Sequence, residues 1–125
     1  MSNTIKINWF EIPVSDMPRA IAFYEKVFDI DIKPMNFVEV AMGWFPPSDE
    51  QGAAAGTLIQ HEMYRPMDNG TLLYFHSEDV AVELSRVVEA GGRIFRDKTL
   101  IGEGHGYMGV FIDSEGNRIA LNSPR

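Results

Sequence analysis

The chain of 125 residues contains no cysteine. That excludes disulfides, a thiolate nucleophile and sulfur metal ligands. Histidine is scarce: His61, His76 and His105 are the whole supply. A metal site would have to draw on these, on carboxylates or on amides. Basic residues are outnumbered, 11 Lys and Arg against 18 Asp and Glu, for a net charge of −7. An acidic chain with no basic run argues against binding a nucleic-acid backbone. No apolar run approaches the length that spans a bilayer. The opening "MSNTIKINW" lacks the long apolar segment of a secretory leader. The expectation is a cytoplasmic protein with no nucleic-acid or membrane partner.

What is present is an ordinary apolar share of 45% in a chain long enough to bury a real core. The whole chain, residues 1–125, reads as a single domain written twice, with modules near 5–62 and 70–123. "NWFEIPVSD" (8–16) and "TLLYFHSED" (71–79) both alternate and both end in Asp, 63 residues apart. Asp is a favoured helix cap. After Asp16, the residues Met17, Ala20, Ile21, Tyr24, Val27 and Phe28 fall at helical spacing, with Pro18 tolerated in the first turn. After Asp79, Val80, Leu84, Val87 and Val88 repeat the stripe, and "EAGG" offers a left-handed glycine cap. Strands are expected near 30–34, 37–44 and 56–62, then near 92–96, 106–113 and 117–122. "FPPSDEQGAAAG" reads as a Pro- and Gly-rich loop, and "GEGHG" as a flexible loop. "DSEGN" reads as a hairpin turn with Gly116 at positive φ.

The pattern is βαβββ twice, an α+β fold whose mixed sheet has helices on one face. Period-two alternation assigns the sides. Phe10, Ile12, Val14, Leu73, Phe75, Ile119 and Leu121 point to the helices. Trp9, Glu11, Leu72, Tyr74, His76, Arg118, Ala120 and Asn122 point the other way, where a half-polar, aromatic face suits a ligand better than a second core.

Asp16, Ala20, Phe23 and Tyr24, in company with the closing "DSEGN", resemble the vicinal oxygen chelate superfamily. That group includes glyoxalase I, extradiol dioxygenases and bleomycin-resistance proteins. The resemblance implies a curled, cup-like sheet with the helices outside and the site on its open face. It also implies a homodimer. Metal-using members resembling this chain would place ligands at Trp9, Leu72 and Ala120, with a fourth between Leu58 and Gln60. None of the first three side chains can bind a divalent cation. No metal and no cofactor is therefore expected. A displaced site from Glu11, His61 and His76 is the alternative.

The candidate ligand-binding residues are Trp9, Glu11, Leu72, Tyr74, His76, Met108, Arg118 and Ala120. Trp9 either stacks on a flat ligand or fills volume left by the missing ion. Glu11 and Arg118 either orient a ligand or pair with each other across the cup. Glu11 and His76 are the candidate acid–base residues, since carboxylate and imidazole both suit proton transfer. His105 is a candidate lid contact. Met35, Met42, Met63, Met67 and Met108 suit an adaptable apolar pocket or plain core. The leading expectation is a metal-free small-molecule-binding protein with an unknown ligand. The alternatives are a glyoxalase-like lyase or isomerase, a dioxygenase-type enzyme, or a purely structural protein whose cup is filled by Trp9, Phe45 and the 45–56 loop.

Overall fold

The computed structural model describes residues 3–125. The first module runs β1 (Trp9–Pro13), α1 (Met17–Phe28), β2 (Lys33–Asn36), β3 (Ala41–Trp44) and β4 (Ala55–Gln60). The second repeats it as β5 (Leu73–His76), α2 (Val80–Ala90), β6 (Arg93–Gly102), β7 (Gly106–Ile112) and β8 (Arg118–Ser123). Each module makes a four-stranded mixed sheet, ordered β1-β4-β3-β2 and β5-β8-β7-β6. In both, the first strand pairs in parallel with the last, and the remaining pairs are antiparallel. This is the expected α+β fold of two βαβββ modules. The two sheets do not close on one another.

Both helices begin at the aspartates that the repeat singled out. The Asp16 side chain accepts from the Arg19 N–H at 3.1 Å, and Asp79 accepts from the Ala81 N–H at 3.0 Å. Each N-terminus has further acceptors from distant chain, which satisfies donors that a helix cannot satisfy itself. Gln60 Oε1 accepts from Met17 N at 2.8 Å, and Ser123 Oγ accepts from Val80 N at 3.1 Å. The helix ends differ. α2 stops at Gly91 with φ +112°, whereas α1 stops at Asp29, a non-glycine residue in the left-handed region with φ +55°. Val88, expected on the buried stripe, is 66% exposed. One residue on from Val87, helical rotation carries it off the packed face.

The core draws on both modules: Ile12, Val14, Phe23, Tyr24 and Leu58 lie in one cluster with Val80, Val87, Phe111, Ile119 and Leu121. Aromatic rings bridge the halves. Phe10 meets Phe75 at 5.4 Å, Phe28 meets Phe75 at 5.1 Å, and Phe23 meets Phe111 at 5.8 Å. Phe45 joins this cluster, 5.5 Å from Tyr24. It packs on the helix side and does not fill the opposite face.

"DSEGN" fastens one module to the other. Gly116 takes φ +97°, as the turn reading required. Asp113 is 3% exposed and accepts four hydrogen bonds. Glu115 N and Asn117 N donate to Oδ1, while the Tyr24 hydroxyl and Asn117 Nδ2 donate to Oδ2. Asn117 Nδ2 also donates to the Pro13 carbonyl at 2.7 Å. Glu115 Oε1 accepts from Ser15 N and Asp16 N at 2.9 and 3.0 Å, and its carboxylate pairs with Arg19 at 2.7 Å. The turn of module two is thus an acceptor cluster for the start of α1 in module one.

Candidate ligand-binding faces

Each sheet has its helix on one face and an open face opposite. Register fixes who shares each open face. In the first sheet, Trp9 lies beside Ala55 and Glu11 beside Thr57, with Trp44 across from Thr57 and Met42 across from Ile59. Met35 pairs with Met42, so two of the methionines noted in the sequence belong here. Trp9 packs edge-on against Trp44 with ring centroids 4.7 Å apart. Thr57, beneath them, is 0% exposed, while Glu11 is exposed.

The open face of the second sheet is a grid of three rows. One row holds Arg118, Ile112 and Arg93; the next holds Tyr74, Ala120, Val110 and Arg96; the third holds His76, Asn122, Met108 and Thr99. Its floor is apolar and shielded, with Ala120 at 0% and Val110 and Ile112 each at 4% exposure. A cavity of about 520 Å³ opens over this face. Tyr74, Met108, Asn122, Arg96 and Thr99 line it, and Leu100, Ile101 and His105 close its rim. A volume of that size lies in the range of small-molecule sites.

β6 explains why half of this wall was not anticipated. The sequence reading ended the strand near residue 96, whereas it runs to Gly102 and returns directly, Gly102 pairing with Gly106. "GEGHG" is therefore the tip of a hairpin. Shifts in register between Ile94 and Arg96 and again before Thr99 break the alternation that would have revealed the strand. The first shift leaves Phe95 out of the pairing, 58% exposed, with the Arg118 guanidinium 5.7 Å from its ring centre.

Of the candidate residues, Leu72, Tyr74, His76, Met108, Arg118 and Ala120 belong to the second module, with Tyr74 and Met108 lining its cavity. Trp9 and Glu11 stand on the first sheet and do not line it. The pairing of Glu11 with Arg118 is not found: the ion pairs among the described residues are Arg19–Glu115, Lys26–Glu89 and Lys98–Asp79. The two residues stand on different sheets, and within one chain the cup that would join them is open. His61 lies past the end of β4, its Nδ1 accepting from Met63 N at 3.0 Å. It borders a second depression of about 690 Å³ between the β2–β3 hairpin and residues 60–66, away from both Glu11 and His76.

Three buried side-chain polar atoms have no hydrogen-bond partner among the described residues: Trp44 Nε1, Thr57 Oγ1 and Arg118 Nε. All three residues lie on the open faces. Such atoms are rare in folded proteins and mark places where something else completes the bonding. Indole N–H and guanidinium N–H can only donate, so two of the three lack an acceptor.

The model of the Glyoxalase/Bleomycin resistance protein/Dioxygenase superfamily matches residues 6–121. The chain belongs to this superfamily. No curated protein matches it. Among solved structures it is similar to glyoxalase I from Zea mays, at 20% identity and a TM-score of 0.72 over 93% of this chain. It spans 45% of the maize chain, less than half its length. It is also similar to the trypanothione-dependent glyoxalase I of Leishmania major, at 15% identity and a TM-score of 0.70, covering 97% of this chain and 88% of that one. TnmS3, an antibiotic-binding protein from Streptomyces sp. CB03234, is 22% identical with a TM-score of 0.64, and each chain covers the other fully. At these identities the likeness is one of fold.

Metal use in this superfamily needs donors on the open faces. The positions implied for them carry Trp9, Leu72 and Ala120, none of which offers a ligand atom. Within the bracket for the fourth, Leu58 and Ile59 are buried and apolar, and Gln60 Oε1 accepts from Met17 N at the start of α1. Among the described residues no group of three or more His, Asp or Glu is placed to hold an ion, so Glu11, His61 and His76 do not assemble one within the chain. The donor set of this superfamily member does not fit the group.

Proposed function

We propose that this chain is a metal-independent small-molecule-binding protein whose ligand lies against the open sheet faces. The observation that carries the reading is the position of the unpaired buried donors. They sit on the open faces, beside an apolar floor and exposed aromatic side chains. A bound molecule supplies what they lack, and apolar burial against Tyr74 and Met108 contributes affinity. Trp9 and Trp44 give the first sheet a matching aromatic surface. Kinship of fold with an antibiotic-binding protein supports binding without chemistry.

The same reading makes the working unit a homodimer. Within one chain the cavity on the second sheet is lined by second-module residues alone. A partner placing its Trp9–Trp44 face over this cavity would enclose the ligand. Closed symmetric dimers are the commonest way for a short chain to complete such a surface.

The test combines metal analysis, light scattering and thermal shift on purified protein. The expected result is a dimer without stoichiometric metal that gains thermal stability with amphipathic aromatic compounds. Tightly bound metal at one per chain would overturn the metal-independent reading. A monomer at micromolar concentration would overturn the shared site.

A further inference from the structure

We infer that the ligand of the second sheet is a flat aromatic anion, held by arginine. This deepens the binding reading above and rests on it. The open face of that sheet carries Arg93, Arg96 and Arg118 on its ladder positions. None of the three makes an ion pair among the described residues, although the protein carries 18 acidic side chains. Arg96 lines the cavity, Arg118 and Arg93 stand in the adjoining row, and no Asp or Glu lines it. In a chain of net charge −7, three neighbouring arginines without a carboxylate are not a product of composition.

Their setting suits recognition better than solubility. Arg118 is half-buried, its Nε is shielded and unpartnered, and its guanidinium is held against the Phe95 ring. Ring contact fixes the plane of the fork while leaving its N–H edge to donate. Arg96 stands in the same row as Tyr74, with Ala120 and Val110 between them. Ala120 and Val110 are buried beneath that row, so a planar ring can lie in the cavity between Tyr74 and Arg96. The Arg96 guanidinium then meets its negative end, with Arg118 in the adjoining row. Carboxylate, sulfonate and phenolate all supply the missing acceptor, and charge-assisted bonds to arginine are the strong class. A neutral carbonyl also accepts from Arg118 Nε, but only an anion offsets the arginine charge as well.

Fluorescence titration of the purified protein with anilinonaphthalenesulfonate, against its neutral analogue N-phenylnaphthylamine, tests this. Both probes are flat and apolar, and only the first is an anion. The anion is expected to bind at least about tenfold more tightly. Arg96→Met and Arg118→Met should each remove most of that preference, leave the neutral probe unchanged and leave the near-ultraviolet circular dichroism native. Arg65→Met, which borders the other depression and not this cavity, should change neither. Rising salt should weaken only the anion in the unaltered protein, a readout that needs no variant. Equal affinity for the two probes, or arginine variants and salt without effect on the anion, overturns the anion assignment while leaving small-molecule binding intact. Failure of the native protein to bind either probe overturns both.

Discussion

Removing the Tyr24 hydroxyl tests whether "DSEGN" is a structural lock. Tyr24 is wholly buried and donates to Asp113 Oδ2 at 2.5 Å. Burial, then the neighbouring Asp113 charge and the hydrogen bond, raise the tyrosine pKa well above its usual value, so it remains a donor at any working pH. Burial also pushes Asp113 up, against the opposing hydrogen bonds from Tyr24, Asn117 and Glu115. Tyr24→Phe keeps the ring and its contacts but leaves a buried carboxylate with three donors in place of four. A hydrogen bond to a charged group contributes about 1.5–3 kcal/mol, so stability at pH 7 should fall by that amount. For a domain of this size the melting temperature should fall by roughly 5–12 °C. Urea unfolding followed through Trp9 and Trp44 fluorescence measures it, with an unchanged m-value confirming that the native and unfolded states are comparable.

The pH dependence is a second handle on the same pair. Asp113 has a folded pKa above its unfolded value, so the native state binds more protons between the two. Its favourable contribution is present below the unfolded pKa and is lost as pH rises through the folded one. The Tyr24→Phe deficit should be larger above the folded Asp113 pKa, where the carboxylate is charged, and smaller in acid. A loss under about 0.5 kcal/mol at pH 7 would falsify the lock.

Glu115 has the opposite sign. Burial pushes its pKa up, but Arg19 and donors from Ser15, Ser114 and Asp16 outweigh that and hold it below its ordinary value. Its contribution is present above the unfolded pKa and is lost as pH falls through the folded one. Glu115→Gln should destabilise at pH 7 by about 1–3 kcal/mol, with a difference from the native protein that vanishes in acid titrations. Gly92→Ala would drive a methyl into the Ile112 carbonyl oxygen and the Phe23 ring. It should lower stability by about 1–3 kcal/mol in thermal melts, and a neutral result would mean that the α2–β6 connection yields freely. Glu11 and His76 are exposed and in no ion pair among the described residues. Glu11→Gln and His76→Ala should each stay within about 0.5 kcal/mol of the native protein in the same assay, and a larger loss would place them in a structural network.

Alternation and helical spacing are local properties, and they determined much. The repeat around Asp16 and Asp79 set both helices, because a cap acts on N–H groups two or three residues away. The sides of Ile119 and Leu121 against Arg118, Ala120 and Asn122 followed from a period of two. The absence of ligand atoms at Trp9, Leu72 and Ala120 was legible through family resemblance. Where pairing slips, alternation carries no information, and this left Arg96 without an assigned face and hid Thr99 in the extension of β6 beyond residue 96. Tertiary structure alone decided the rest. Tyr24 and Asp113 are 89 residues apart, and no local pattern predicts their bond. Nor does sequence show that Glu11 and Arg118 fail to meet, that Gln60 serves a helix end, or that three arginines share one face without a carboxylate. Those facts depend on which strands lie side by side, and strand order is set by packing one core from two modules.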